Sequence, residues 1–300
     1  MKKIIAFALA AVLCLGAALT LAGCGGNNGG GTSAPEGSEA AAPAAKITIA
    51  VPNDTTNEAR ALLLLEANGL LKLKEGAGIT ATIMDIAENP YNIEFNEIEA
   101  AQIPNVLQDV DFAIINSNYA IPAGIDPMTQ SLAIEGSASA YSNILVCREG
   151  NENEPKVLAL KAALESQAVA DYIGETYGGS VVSTVDKLTD GYYADLDYEA
   201  LKGTTISCAC SPSPHAEILA IAKDILAAKE ITLDIQEFTD YVIPNNVVED
   251  GTVDTNYFQH VPYLDDFNAE NGTHLVSVSA IHVEPMGIYG GKQTSLDIFK

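Results

Sequence analysis

Positive charge is scarce in this sequence. Fifteen lysines and arginines stand against 40 aspartates and glutamates, for a formal net charge of −25, and no basic run interrupts the acidic balance. Such a surface repels nucleic acid and anionic headgroups, which excludes nucleic-acid binding as a first reading. Catalytic signatures are missing as well: there is no G-x-S-x-G motif, no phosphate-cradling loop and no cluster of metal ligands at a recognisable spacing. The nearest nucleophile–base pairs are Cys210 or Ser211 with His215, and closeness in sequence is not the geometry a triad needs. An enzyme is therefore not expected, nor a cofactor or a metal. Cysteine is sparse too, with five in 300 residues. Cys14 and Cys24 belong to the N-terminal leader, and Cys147, Cys208 and Cys210 do not make a disulfide framework. Cys208 and Cys210 are same-face neighbours on a strand, where a bridge would be strained; they are expected as small buried hydrophobes. Beyond the leader there is no second long apolar run, so the chain cannot form a channel alone.

What is present begins with that leader. Lys2 and Lys3 precede an apolar stretch from Ile4 to Leu21, followed by Leu21-Ala22-Gly23-Cys24. This resembles a bacterial lipoprotein signal, with residues 1–23 removed and Cys24 carrying the lipid. Two acyl chains would anchor the protein stably on the extracytoplasmic side of the cell membrane. The alternative is an uncleaved membrane helix, because 18 apolar residues nearly suffice. Residues 24–45, rich in Gly, Ala, Ser and Pro, read as a tether with no packing face. Folded structure is expected from about Lys46, and 48% hydrophobic with 18% charged residues marks a globular chain.

The folded part alternates strand and helix patterns. Ile47, Ile49 and Val51 alternate as in a strand; the next helix can be capped by Thr55 with Glu58 three residues on, and stops at Asn68-Gly69. Strands are read in "YNIEFNEI", "DFAIINS" and "SNILVCRE", and one helix from Glu154 to Tyr177. Residues 183–203 are polar and turn-rich and read as a connection. A second strand–loop–helix start follows in "TTISCACSPSPHAEILAIAKDILAAKE", with Ser213 as N-cap and Pro214 at the first helical position. The closing "HLVSVSAIHVEPMGIYG" reads as a strand pair. The order implies an α/β fold of mainly parallel sheets flanked by helices. Two such starts imply two lobes, with ligands beyond the strand ends against helix N-termini. Arg60 near the first helix start can form a bidentate pair with a carboxylate, and Asn57 lies one turn earlier on the same face. A surface arginine paired with one of many acids is the plain alternative.

Several longer stretches carry more. "PNDTTNEARALLLL", "EAAQIPNVLQDVDFAIIN", "SNILVCREG", "PHAEIL", "EFTDYVIPNN", "NYFQHVPYLDDFN" and "GTHLVSVSAIHVEPMGIY" together resemble the NlpA-type methionine-binding lipoproteins, substrate-binding subunits of ABC importers. The resemblance covers residues 46–300 apart from the connection near 183–203. It implies a type II periplasmic-binding-protein-like fold of two lobes, and the segment order implies a circular permutant. The block that usually ends the family's chains, starting at "ITIAVPND", stands first here; the block that usually begins them follows the connection. One lobe is expected from residues 46–118 plus 291–300 and the other from 119–290.

The resemblance also implies ligand contacts. Arg60 matches the arginine that pairs with the methionine carboxylate, and Asn57 its companion. Asn116, with Asn118 as the alternative, and Asn143 match the asparagines that hold the amino and carboxylate groups. Tyr241, Phe258, His260 and Tyr263 match the wall around the thioether. Each has an ordinary reading: core aromatics, a satisfied histidine, or asparagines that cap strand-end turns. The implied function is to bind L-methionine by hinge closure and deliver it to a permease with cytoplasmic ATPases, as a lipid-anchored monomer. Another amino acid, D-methionine or a methionyl dipeptide is the alternative, and a surface adhesin or sensor built on the same scaffold is a further one.

Overall fold

A computed structural model describes residues 46–136 and 141–300. The signal, Cys24 and the tether lie outside the described residues. Among the described residues no helix is long and apolar enough to cross a membrane.

β1 (Ile47–Pro52) is buried at every position but Thr48, the pattern of a strand covered on both faces. Asp54 caps α1 (Thr55–Ala67): its Oδ1 accepts the Asn57 N–H at 3.0 Å. The cap thus sits one residue before the Thr55 that the sequence suggested. Glu58, the expected second half of a capping box, accepts the Ile83 N–H at 2.8 Å instead. The first lobe continues with a small ladder of β2 (Lys72–Leu73) and β3 (Ile86–Glu88), then β4 (Ile93–Ile98), α2 (Ile103–Val106), β5 (Phe112–Ile115), α3 (Ser117–Ala120), α4 (Pro127–Gln130) and β6 (Ser131–Ile134).

The second lobe comprises β7 (Ser142–Arg148), α5 (Pro155–Leu164), α6 (Gln167–Tyr177), β8 (Val182–Ser183), β9 (Thr205–Cys210), α7 (Glu217–Ala227), β10 (Thr232–Glu237), α8 (Ile243–Glu249), β11 (Thr255–His260), α9 (Val261–Asn271) and β12 (Leu275–Val283). The chain then returns to the first sheet as β13 (Gly287–Gly290). The sheet orders are β4-β1-β5-β13-β6 and β10-β9-β11-β7-β12-β8.

Four expectations are corrected. The sheets are mixed, not mainly parallel: β13 enters the first sheet antiparallel to both neighbours, and β7 and β12 do the same in the second. The closing strands are no hairpin, because β12 pairs with β7 and β8 while β13 pairs with β5 and β6. Glu284-Pro285-Met286 is therefore a crossover between lobes. The first lobe takes more of the chain than 46–118 plus 291–300, because β6 and β13 complete its sheet. Finally, Glu154–Tyr177 is two helices, the second capped by Ser166, which accepts the Val169 N–H. At the other helix start, Ser213 is extended, its bond to Pro214 is cis, and residues 212–216 form a wide turn before α7. That turn carries His215, fully buried.

Each lobe has its own core. Phe112, Ile114, Met286 and Ile288 join the α1 leucines in the first; Leu145, Tyr257 and Ile281 join α5 and α7 in the second. Cys147, Cys208 and Cys210 are buried and free. The C-terminal segment packs on the first lobe: Phe299 meets Phe112 and Tyr91 at centroid distances of 5.4 and 5.0 Å. At Gly291 an added Cβ would lie 1.9 Å from the Leu107 carbonyl oxygen, so only glycine permits this approach. The 183–203 connection is a packed strap. Thr189 exchanges 3.0 Å backbone bonds with Glu165 and Gln167, Leu201 is buried in the second core, and the Lys229 ammonium sits 4.6 Å over the Tyr192 ring.

Candidate ligand-binding site

The strand ends decide where the site lies. Beyond β1 comes Asn57, beyond β5 come Asn116, Ser117 and Asn118, and beyond β10 comes Tyr241; β11 ends in Phe258, Gln259 and His260. Side chains from all four line one small cavity with Arg60, Asn143, Tyr263 and Glu284. Ligand sites in α/β sheets favour the strand carboxyl ends. All eight side chains named from the sequence line this cavity. Ser117, Gln259 and Glu284 were not named, and Asn118 stood only as an alternative to Asn116, whereas both line the cavity.

One wall is polar. Asn57 is held at both ends of its amide, donating to Asp54 Oδ1 at 2.8 Å and accepting from Asn116 Nδ2 at 2.8 Å. Burial raises the Asp54 carboxyl above its ordinary range, against the Asn57 and Thr56 hydrogen bonds. Arg60, 5% exposed, has a partner the sequence did not suggest. Its Nε donates to both Glu135 oxygens at 2.8 and 2.9 Å. Its Nη2 donates to Glu135 Oε2 at 2.5 Å and to the Glu284 carbonyl at 2.7 Å. The Tyr141 ring lies 4.5 Å from the guanidinium carbon. Glu135 follows β6, on the connection that leads to β7 in the other sheet, and its Oε2 also accepts the Met286 N–H at 2.8 Å, so one carboxylate ties α1 to both crossovers. The edge of Arg60 expected to meet a ligand carboxylate is thus occupied from within.

The opposite wall is aromatic. Tyr241, Phe258 and Tyr263 have ring centroids about 6 Å apart, and Phe267 extends the cluster. Tyr263 donates to the Tyr241 carbonyl at 3.0 Å. Tyr241 reaches across the cleft to donate to Asn118 Oδ1 at 2.8 Å, and Tyr119 reaches back to the Thr239 carbonyl at 3.0 Å. His260 caps α9 through Nδ1, which accepts the Tyr263 N–H at 3.3 Å. Burial, then the Arg60 charge, lower its pKa to about 3, so it is neutral at physiological pH.

Behind the cavity lies a cluster that sequence spacing hid. His215 Nε2 is 2.9 Å from Asn143 Oδ1 and 3.5 Å from Glu284 Oε1. His282 Nε2 is 2.8 Å from Glu284 Oε1, and its Nδ1 meets the Tyr257 hydroxyl. Burial lowers both histidines to about 3 and raises Glu284 to about 7, against the opposite pull of His215 and Arg60. His215, His282 and Glu284 each offer an atom within 4.8 Å of the others, a grouping able to hold a metal ion. The residues come from two segments 67 or more positions apart, so no motif scan joins them. Glu284 could have been noticed beside His282 in "HVEPMG". Cys210, weighed as a nucleophile with His215, has its thiol pushed up by burial, which disfavours the reactive thiolate.

Three atoms of the cavity-lining residues are buried without a hydrogen-bond partner: Asn116 Oδ1, Asn118 Nδ2 and Glu284 Oε2. Buried polar atoms are normally paired. Two acceptors and a donor left open in one cavity are complementary to a small ligand with both polarities.

The family model described as NlpA lipoprotein matches residues 43–185 and 206–300. Membrane lipoprotein TpN32 of Treponema pallidum is 45% identical over 139 residues, 46% of this chain and 52% of that protein. A probable D-methionine-binding lipoprotein MetQ of Vibrio cholerae is 46% identical over 134 residues, 45% and 50% of the two chains. This chain spans about half the length of the curated relatives it matches. Among solved structures, a nutrient-binding protein from Burkholderia cenocepacia bound to methionine is 44% identical, with a TM-score of 0.45 over 46% of this chain and 58% of that one.

Proposed function

This chain belongs to the NlpA lipoprotein family, and from that premise we propose that it is a substrate-binding protein that takes a methionine-type amino acid between its lobes. Proteins of that family bind a substrate and catalyse nothing. The observation that carries the reading is the cavity, with open polar atoms on one side and Tyr241, Phe258 and Tyr263 on the other. A zwitterion needs polar partners once desolvated, and a thioether packs favourably against aromatic rings. The names of several relatives specify D-methionine, so D-methionine takes precedence over the L enantiomer.

Asn57, Arg60, Asn116, Asn118 and Asn143 serve the charged end of the ligand, and Tyr241, Phe258, His260 and Tyr263 its side chain. Arg60 acts mainly by fixing Glu135 and the crossovers, leaving Nη1 outside its hydrogen bonds to Glu135 and Glu284. Hinge closure uses the Glu284–Met286 crossover as a pivot. Membership of a lipoprotein family supports anchoring on the extracytoplasmic side of the membrane, with Cys24 as the lipidated residue. The protein would act as a monomer and hand its ligand to an ABC permease with cytoplasmic ATPases. The two-block family match on either side of residues 186–205 supports a permuted segment order, with the strap joining what are elsewhere the two ends.

Titration calorimetry with D-methionine, L-methionine and methionyl dipeptides tests the reading. Saturable heat with at least one, strongest for D-methionine, is expected. Absence of heat and of any thermal shift with all of them overturns it.

A further inference from the structure

We propose that Glu284 is the receptor for the ligand's ammonium group, so that the cavity takes only ligands with a free primary amine; this rests on the amino-acid reading above. Glu284 lies on the β12–β13 crossover, lines the cavity and is 5% exposed. Its Oε1 is taken by His282 Nε2 at 2.8 Å, and its Oε2 is buried with no partner. A carboxylate in that state lacks a cation. The groups around it do not supply one. His282 on β12 meets Oε1, and His215 on the turn before α7 meets Asn143, so neither pairs with Oε2. Tyr257 on β11 is spent on His282, and Tyr241 on Asn118. Arg60 on α1 gives its Nε and Nη2 to Glu135, touching only the Glu284 carbonyl. The Asn118 backbone N–H eases the charge on Glu284, but it is a neutral donor and supplies no cation.

The unpaired oxygen is not isolated. Asn116 Oδ1, a second orphaned acceptor, belongs to the same cavity. An ammonium carries three donors, and these two acceptors suit two of them. Asn118 Nδ2, the orphaned donor, suits the carboxylate end. A divalent metal is the competing occupant of the His215–His282–Glu284 group. It would need a His282 nitrogen, and both are already engaged, one by Tyr257 and one by Glu284. An ammonium on Oε2 breaks neither contact.

Calorimetry of the purified protein and of Glu284→Gln decides, using D- and L-methionine, their N-acetyl derivatives and the deaminated methylthio acid. Expected are methionine binding that weakens roughly 10- to 100-fold in the variant and poor binding of both amine-less analogues to either protein. Unchanged affinity in Glu284→Gln, or N-acetylmethionine bound as tightly as methionine, overturns the proposal and leaves the cavity reading intact. Failure of the wild-type protein to bind any free amino acid overturns both. A zinc-dependent rise in melting temperature, lost in the variant and unaccompanied by amino-acid binding, overturns it in favour of a metal site. Should the variant not fold, the ligand series on the wild-type protein reads the same contact.

Discussion

Glu135 and Glu284 stand on the two crossovers and meet opposite fates. Glu135 faces a guanidinium that fits it bidentately and also accepts a backbone N–H. Glu284, more deeply buried, faces two neutral histidines and keeps one oxygen unmated. The first pair holds the lobes' connections together. The second group leaves an uncompensated site in the cavity wall. The contrast teaches that a carboxylate's role follows from its depth and from the charge of the neighbours it meets there.

The largest expected effect strikes the histidine side. His215, His260 and His282 are held near 3, against about 6.5 in an unfolded chain. Their contribution is complete above about pH 6.5 and is lost as pH falls toward 3. Glu284, raised to about 7 from about 4.5, acts oppositely: its contribution is present below 4.5 and lost as pH rises through 7. Between pH 6.5 and 4.5 the unfolded chain thus binds about two more protons than the native one. Stability should fall by about 3 kcal/mol per pH unit there, as urea titrations at pH 7, 6 and 5 would reveal. A flat profile would remove the contrast between the two carboxylate environments.

Next comes Glu135→Ala. It strands a buried guanidinium and should cost about 3 kcal/mol in urea unfolding, the lower end for a broken buried pair because Glu135 keeps some solvent. A loss below about 1 kcal/mol would reduce the pair to an ordinary surface bridge. The smallest effect has the opposite sign. Glu284→Gln should stabilise the ligand-free protein by about 2 kcal/mol at pH 8, because it removes a charge that burial disfavours, and should steepen the acid loss. Destabilisation at pH 8 would mean that Glu284 is a structural anchor like Glu135.

Much of this was legible in the chain. Alternation in β1, the helix stop at Asn68-Gly69 and the eight cavity side chains could be named because they depend on local pattern or on contiguous family motifs. The misses share a cause. The cap at Asp54 rather than Thr55 turned on which of two adjacent oxygens reached one amide. The split of β12 from β13 was hidden because a strand pattern shows which residues alternate, not which sheet they join. The Arg60–Glu135 pair spans 75 positions, and an acidic chain offers 40 candidate partners.

By itself, the sequence determined the alternation of strands and helices and the acidic surface, which are written in short-range periodicity and composition; its resemblance to a family implied which polar and aromatic side chains meet a ligand. Tertiary structure alone decided which carboxylate met the arginine and which met neutral histidines. Burial sets protonation, and burial depends on how distant segments pack.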